Sequence, residues 1–320
     1  CRNALNGLLS IYPRSSCNSR TPCQCGDVLV QSRTLNSSDF NRGLCLGTGL
    51  EIGAPGITLD CNGIPITGSL SLSGKGILNT FDNVTIKNCK VSRFANGIHV
   101  LGALNNTILN NTVSSIIIVP SSTGIWIETS TRNNVTNNTV SSYTWGIGLD
   151  MNSNNNLIEN NTVSSCQFGM EIHRSSGNTI KNNRANSNTR HGIYLTNGSR
   201  NNTLIGNTAD SNNQDGLYIF DAASTNNTIN YNRFCYNNQL RQPGYVDIFD
   251  ADFNSPGLNN TCDTTFNWFD QAGVAGCTYR CPIIPYDDMY ITQNTTLAPG
   301  FYNVIDNQTT GQKGAILMNT

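Results

Sequence analysis

Short apolar stretches recur along most of this chain and are separated by runs of Asn, Ser and Gly. Each stretch reads Gly-apolar-x-apolar, the alternation of a half-buried β-strand, and the repeats show no helical period. An earlier copy is expected at 76–78, and a late copy without the glycine at 245–248. Six full copies begin at Gly97, Gly124, Gly146, Gly169, Gly192 and Gly216.

Two columns of Asn accompany these strands. The first contains Asn111, Asn138, Asn161, Asn183, Asn207 and Asn232, at steps of 27, 23, 22, 24 and 25 residues. The second contains Asn106, Asn133, Asn156, Asn178, Asn202 and Asn227. A unit of this length cannot bury its own apolar face, so the units must stack. The repeats therefore predict an all-β parallel β-helix with one coil per unit, in which corner Asn amides hydrogen-bond along the axis.

The pattern N-x-I-x-N-N-x-V…G-I-x-L resembles the repeats of right-handed parallel β-helix proteins, including pectate-lyase-like enzymes and NosD-type surface proteins. The resemblance covers residues 57–260 and implies a right-handed solenoid. It does not select a function, because such repeats serve enzymes, binding proteins and structural proteins alike.

The segments outside the repeats are expected to close the solenoid, since its open ends expose unpaired strand edges. Residues 1–56 form a Cys-rich cap with entry strands, and apolar spacing predicts a short helix at 3–12. Residues 261–285 form a Cys-rich closing segment. Residues 286–320 again resemble the entry to a β-helix, so they are either the start of a second solenoid or a strand that pairs with a neighbouring molecule.

Cysteines and Asn-x-Ser/Thr sequons together indicate an oxidising compartment, and hence an extracellular or cell-surface protein. The pairings that we expect first are Cys61–Cys89 and Cys235–Cys262, each about one coil apart. The cysteines expected in disulfides are Cys1, Cys17, Cys23, Cys25, Cys45, Cys61, Cys89, Cys235, Cys262, Cys277 and Cys281. The sequons, of which we expect partial use, begin at Asn36, Asn83, Asn105, Asn110, Asn134, Asn137, Asn160, Asn197, Asn201, Asn226, Asn259, Asn294 and Asn307.

Charge is sparse: 12% of residues are charged and the net charge is −1. This gives no electrostatic basis for binding nucleic acid. No apolar run is long enough to predict a transmembrane segment. The cysteines lack the paired Cys-x-x-Cys spacing of a zinc site, so no metal site is predicted from them.

Candidate chemistry lies on the outward face of the Gly-Ile-x-Leu strands. Glu128, Asp150 and His173 fall on three successive coils, with Glu171 beside them, and these four are the catalytic candidates. Carboxylates beside aromatic rings suit a sugar-processing groove. The ring column that would contact a glycan contains Trp126, Tyr194 and Tyr218, and is expected to continue to Asp247. An ordinary strand surface would explain the same residues.

No cofactor is expected, with calcium as the one exception left open. Asp247, Asp250 and Asp252 alternate with Phe and could present one carboxylate face to Ca²⁺, although a solvated strand end is the favoured explanation. A copper site lacks ligands, because the three His occupy different positions in their coils.

Two classes of function remain. The sequence favours a secreted, disulfide-stabilised, N-glycosylated structural subunit of a cell surface or filament, which assembles head to tail with its own copies through residues 286–320. The alternative is a polysaccharide-acting enzyme (a lyase, an epimerase or a glycosidase) or a glycan-binding adhesin on the outward face. The enzyme is disfavoured because no Arg/Lys-rich groove and no Asp cluster is evident.

Overall fold

The chain forms a right-handed parallel β-helix, as the repeats predicted. The structure, a computed structural model, describes residues 15–41, 43–116, 118, 120–251, 255–271 and 274–283, with the backbone of 289–291, 297 and 316–318. The predicted helix at 3–12 and Cys1 lie outside these residues. No helix occurs among the described residues, and hence none there that is long and apolar enough to cross a membrane.

Three parallel sheets run along the solenoid. The first sheet contains Ser16–Cys17, Asp27–Leu29, Leu50–Ile52, Lys75–Asn79, Asn96–Leu101, Thr123–Glu128, Trp145–Asp150, Phe168–His173, Ile193–Thr196, Leu217–Ile219, Ile248–Asp250 and Thr265–Phe266. The second contains Arg33–Thr34, Thr58–Asp60, Thr85–Lys87, Thr107–Leu109, Asn134–Thr136, Leu157–Glu159, Thr179–Lys181, Thr203–Ile205, Thr228–Asn230 and Gly257–Leu258. The third contains Pro65–Thr67, Lys90–Ser92, Thr112–Ser114, Thr139–Ser141, Thr162–Ser164 and Arg184–Asn186.

The core consists of the apolar residues that alternate along each strand. Ile98 and Val100 are fully buried, and their equivalents Ile125 and Ile127 stack directly on them. The glycine of each phrase is required by close packing, because a Cβ at Gly124 would lie 2.3 Å from Val140 Cγ1. The repeated glycine therefore lets the first and third sheets meet at their shared corner.

Both predicted Asn columns form buried hydrogen-bonded stacks. Within each column the side-chain Nδ2 donates to the Oδ1 of the Asn one coil further on, as from Asn138 to Asn161 at 3.0 Å. That Oδ1 also accepts the backbone N–H of Asn138, at 2.9 Å. Asn227, the last Asn of the second column, donates instead to the carbonyls of Ser199 and Ser224. The column of Asn111 ends on a carboxylate, because Asn260 donates to Asp270. A third stack, which the sequence did not predict, runs through Asn188, Asn212 and Asn237 to Asp247.

The late strand copy at 245–248 was placed out of register. The structure pairs Leu217 with Ile248 and Tyr218 with Phe249, two residues later than the sequence suggested. The physical reason is the long connection after Asn232, which ends with Asp247 turned into the third Asn stack. Asp247 accepts hydrogen bonds from Asn237 and from the backbone of Asp263, so it is not part of the outward column.

Five disulfides join described residues, and such bonds indicate an exported protein. Cys61–Cys89 agrees with the expected pairing, whereas the expected Cys235–Cys262 is wrong. After residue 271 the chain turns back on itself (Phe269–Gln271 pairs antiparallel with Val274–Ala275) and returns over the last coil, which brings Cys277 and Cys281 to these two cysteines. Cys166 is a free, buried thiol. The pairs are Cys17–Cys23, Cys25–Cys45, Cys61–Cys89, Cys235–Cys281 and Cys262–Cys277.

Most of the segment 286–320 lies outside the described residues. Its two described strands, Met289–Ile291 and Ile316–Met318, pair in parallel, with Met289 opposite Ile316. That offset of 27 residues equals the longest coil step in the Asn111 column. Strands of the predicted cap, including Asp27–Leu29 and Leu50–Ile52, already stack in the first sheet.

Candidate functional site

A cleft opens on the outward face of the first sheet and has a volume of about 390 Å³. It contains three of the four catalytic candidates and two of the three aromatic candidates. Its lining residues are Ser121, Thr123, Trp126, Trp145, Gly148, Asp150, Glu171, His173, Tyr194, Thr196 and Asn197. The site therefore spans four successive coils, from Thr123–Glu128 to Ile193–Thr196.

Gly148 explains why a cleft exists at this point of the sheet. It pairs with Trp126 on one side and with Glu171 on the other, so one coil contributes no side chain to this outward column. The space left above Gly148 is lined by three aromatic side chains, Trp126, Trp145 and Tyr194. The result is a floor of backbone and carboxyl groups between aromatic walls.

His173 lies between a carboxylate and an amide. Its Nδ1 lies 3.2 Å from Asp150 Oδ1, and its Nε2 accepts a hydrogen bond of 3.0 Å from Asn197 Nδ2. The tautomer that satisfies both contacts has its proton on Nδ1, facing Asp150. His173 is therefore hydrogen-bonded to Asn197 and lies within ion-pair distance of the Asp150 carboxylate, so the three residues are neighbours on three successive coils.

Glu171 has the electrostatic surroundings of an acid rather than of a carboxylate. Burial, and secondly the negative charge of Asp150, raise the pKa of Glu171 to about 8. The two residues are diagonal neighbours, since Gly148 is opposite Glu171 and Asp150 lies two residues further along the same strand. A protonated carboxyl group and an adjacent carboxylate are thus available in one cleft.

Glu128 does not line the cleft, although the sequence grouped it with the catalytic candidates. Its Oε2 lies 2.8 Å from His99 Nε2. Burial, and secondly Lys75, lower the pKa of His99 to about 4, so the neutral ring donates its Nε2–H. The His99 ring stacks on Trp126 with centroids 4.3 Å apart. Glu128 and His99 therefore support one aromatic wall from behind.

Tyr218 lies beyond the cleft, in an aromatic track that continues towards the C-terminal end. Tyr194 and Tyr218 stack at 5.6 Å, Tyr218 and Phe249 contact at 4.8 Å, and Phe249 and Phe266 stack at 4.7 Å. Phe266 is about half exposed. Phe249 takes the position in the column that the sequence had assigned to Asp247.

Sequence reasoning missed several cleft residues because it counted each strand from its glycine. The strands begin one residue earlier, as in Thr123–Glu128 and Trp145–Asp150, and the residue before the glycine lines the cleft in these two coils. Trp145 and Phe168 occupy this position, and Trp145 lines the cleft. The signal was present in the repeat itself, as a column of polar and aromatic residues just before Gly146 and its equivalents.

The calcium prediction gains no support from the described residues, which contain no cluster of three or more His, Cys, Asp or Glu able to hold a metal ion. Asp247 is occupied by hydrogen bonds from Asn237, Asp263 and Thr264. Asp252 lies outside the described residues. Calcium binding stays a prediction.

The sequons at Asn110, Asn137 and Asn160 point outward, as expected, and each of these residues has a φ of 56°. Asn tolerates this left-handed conformation, the second Asn enters the buried stack, and the Thr begins a strand. Each letter of Asn-Asn-Thr thus has a structural reason, so the motif alone does not indicate a glycan. Asn294 and Asn307 lie outside the described residues, and glycosylation stays a prediction.

Comparison with known proteins identifies the fold. The family model described as the right handed beta helix region matches residues 75–234, half of the chain. No curated protein matches the chain.

Several solved structures are similar. The Dettilon tailspike protein (gp208) has a TM-score of 0.58 and 18% identity, over 82% of this chain and 57% of that chain. The periplasmic alginate epimerase AlgG has a TM-score of 0.53 and 14% identity, over 95% and 74%. The Azotobacter vinelandii mannuronan C-5 epimerase AlgE4 A-module has a TM-score of 0.50 and 15% identity, over 83% and 88%. At these identities the likeness shows the fold alone, and this chain spans 57% of the tailspike's length.

Proposed function

We propose that this chain, which belongs to the family of right-handed β-helix proteins, is an exported enzyme that hydrolyses a glycosidic bond of a polysaccharide. The observation that carries the proposal is the pair Glu171 and Asp150 in one cleft with aromatic walls. Because burial and Asp150 raise the pKa of Glu171 to about 8, its carboxyl group still holds a proton at neutral pH. A positioned acid of this kind is what departure of a sugar leaving group requires.

The proposed step uses both carboxyl groups. Glu171 donates its proton to the glycosidic oxygen while the bond from that oxygen to the anomeric carbon breaks. A water molecule adds its hydroxyl to the anomeric carbon, and its remaining proton passes to Asp150, whose Oδ1 lies 3.2 Å from His173 Nδ1. The products are two shorter glycans, one with the proton from Glu171 and the other with the hydroxyl of the water, and the proton on Asp150 then returns to Glu171 through solvent, so that one water is consumed in each cycle.

The walls of the cleft suit a pyranose ring. Trp126, Trp145 and Tyr194 present ring faces or edges, and sugars stack their C–H faces on such surfaces. Beyond Tyr194, the track through Tyr218 to Phe266 follows the solenoid axis, with one coil about every 4.8 Å. A polysaccharide lying along the axis would contact both the cleft and this track.

The experiment is a screen of polysaccharides for new reducing ends with the wild-type chain, Glu171→Gln and Glu159→Gln. Glu159 is the matched control because it lies on the second sheet, paired with Lys181 at 3.2 Å. We expect Glu171→Gln to lower the rate about 100-fold or more and Glu159→Gln to leave it unchanged. Full activity in Glu171→Gln would refute the assigned role, and binding without cleavage would identify a glycan-binding protein instead.

A head-to-tail structural subunit of a cell surface or filament is the second candidate. It is favoured by the parallel pairing of Met289–Ile291 with Ile316–Met318, which provides strand edges beyond the closing segment. The predicted contact through 286–320 calls for electron microscopy of the chain and of a version ending at residue 283. Filaments that form only from the full chain would support this function, and monomers in both samples would refute it.

A further inference from the structure

The ionisable side chains that line the cleft are unevenly distributed. Asp150, Glu171, His173 and Tyr194 are among the lining residues, whereas no Lys or Arg is. His173 is held by Asp150 and Asn197, so it is already engaged with the protein's own carboxylate. The cleft floor therefore offers two carboxyl groups and no unengaged cation among its lining residues.

Two cations, Arg190 and Lys75, lie near the cleft residues without lining the cleft, and Arg190 acts electrostatically on Tyr194. Arg190 lies over the ring of Phe168, 5.4 Å from its centroid, outside the set of lining residues. Lys75 influences His99 and Glu128, which also lie outside that set. Neither charge is among the causes that shift the pKa of Glu171, which are burial and then Asp150.

The remaining polar groups suit hydroxyl groups. Ser121, Thr123 and Thr196 contribute uncharged side chains that can both donate and accept hydrogen bonds. Trp126 and Tyr194 add ring surfaces that bind the apolar face of a sugar without regard to charge. A carboxylate on every sugar would instead face Asp150 in a cleft where water is partly excluded, and like charges repel strongly there.

We propose that the cleft selects an uncharged polysaccharide and excludes polyuronates. This inference rests on the proposed function, because it concerns the substrate of the same cleft. The same repulsion is already visible within the protein, where the charge of Asp150 opposes the ionisation of Glu171. The Asp150 carboxylate would also repel the carboxylate of an incoming uronate, and no guanidinium or ammonium group among the lining residues would offset that repulsion.

The first test measures binding to glycans that differ only in charge. The probes are polygalacturonate, polymannuronate and polyguluronate, each beside its carboxyl-reduced derivative, together with neutral glucans, mannans and galactans. Full-length Glu171→Gln is used, because Gln keeps the shape of a protonated carboxyl group and prevents turnover. We expect a neutral glycan to bind, and every polyuronate to bind about tenfold or more weakly than that glycan at low ionic strength.

The outcomes separate the two proposals. Binding of a polyuronate as tightly as any neutral glycan would overturn the selectivity and leave a glycan-acting site intact. Binding of no glycan at all would overturn the proposed function and the selectivity with it. Binding of a neutral glycan alone supports both.

A second test adds the missing cation. Ser121 is exposed at the rim of the cleft, so Ser121→Arg places a positive charge there, and Ser121→Gln is the uncharged control of similar reach. We expect Ser121→Arg to bind polyuronate at least about threefold more tightly than wild type, and the gain to disappear at high salt. Equal polyuronate affinities in all three proteins would overturn the electrostatic basis of the selectivity.

Discussion

Replacing Asn161 with Ala tests how much the buried Asn stack contributes to stability. The Asn161 side chain takes part in four hydrogen bonds. Its Nδ2 donates to Asn183 Oδ1 at 3.0 Å and to the Val135 carbonyl at 2.8 Å. Its Oδ1 accepts the backbone N–H of Asn138 at 2.9 Å and the Asn138 amide at 3.0 Å. Alanine removes all four in a position that is closed to solvent.

The expected loss follows from the groups left behind. The substitution leaves the Asn138 N–H, one amide N–H of Asn138 and a lone pair of the Val135 carbonyl without these partners. A buried polar group without a partner costs about 1–3 kcal/mol, and water that enters the space recovers part of this. We therefore expect the free energy of unfolding to fall by about 3–5 kcal/mol.

Asn160→Gly is the matched control at the adjacent position. Asn160 is exposed and has a φ of 56°, a conformation that glycine adopts without strain. We expect its free energy of unfolding to change by less than about 0.5 kcal/mol. Urea unfolding of the oxidised proteins, followed by circular dichroism, gives the urea concentration at which half of each protein is unfolded. These midpoints compare stabilities when the free energy of unfolding depends equally on urea in each protein. If the two variants unfold at the same urea concentration, the Asn stack contributes little and the apolar core alone stabilises the coil.

The remaining predictions concern the cleft. Burial and then Asp150 raise the pKa of Glu171 from 4.5 to about 8, so between these pH values the folded protein binds more protons than the unfolded chain. Its stability should fall as pH rises through this window, and Glu171→Gln should flatten that part of a plot of Tm against pH; an unchanged slope would contradict the assignment. Hydrolysis should also decline above about pH 8, as Glu171 loses its proton. Gly148→Ala should keep the Tm of the wild type and weaken glycan binding, because its Cβ would lie 3.4 Å from Thr123 Cγ2 and would occupy the cleft floor. Gly124→Ala should lower the Tm, because its Cβ would lie 2.6 Å from the Gly146 carbonyl oxygen; equal Tm values in the two variants would refute the packing argument.

The sequence predicted the solenoid because stacking imposes the same requirement on every coil. Asn138 and Asn161 must each fill a position in one stack, and Gly124 must leave room for Val140, so the letters repeat. The C-terminal end does not follow the repeat, so its structure could not be predicted in the same way. The longer connection before Ile248 shifted the register, and the turn after residue 271 decided the partners of Cys235.

The cleft could be predicted only in part. Asp150, Glu171 and His173 were found because regular alternation places them outward on neighbouring coils. Glu128 lies opposite Asp150, as the alternation predicts, but it does not line the cleft, because the alternation gives the direction of a side chain and not the partner that it binds. That partner is His99, 29 residues away in sequence.

The Asn stacks have a direction. Every amide in the column from Asn111 donates towards the C-terminal end, so each coil supplies the donor that the next one receives. The last coil of this column therefore needs a side chain that accepts a hydrogen bond and has no N–H group to donate. Asp270 is that acceptor, as Asp247 is in the third stack. Whole coils could be inserted or removed between Asn138 and Asn207 without disturbing this chain of donors. The hydrogen bonds within the stack therefore do not fix the number of coils, and in these two stacks the terminal Asp ends the series of donors.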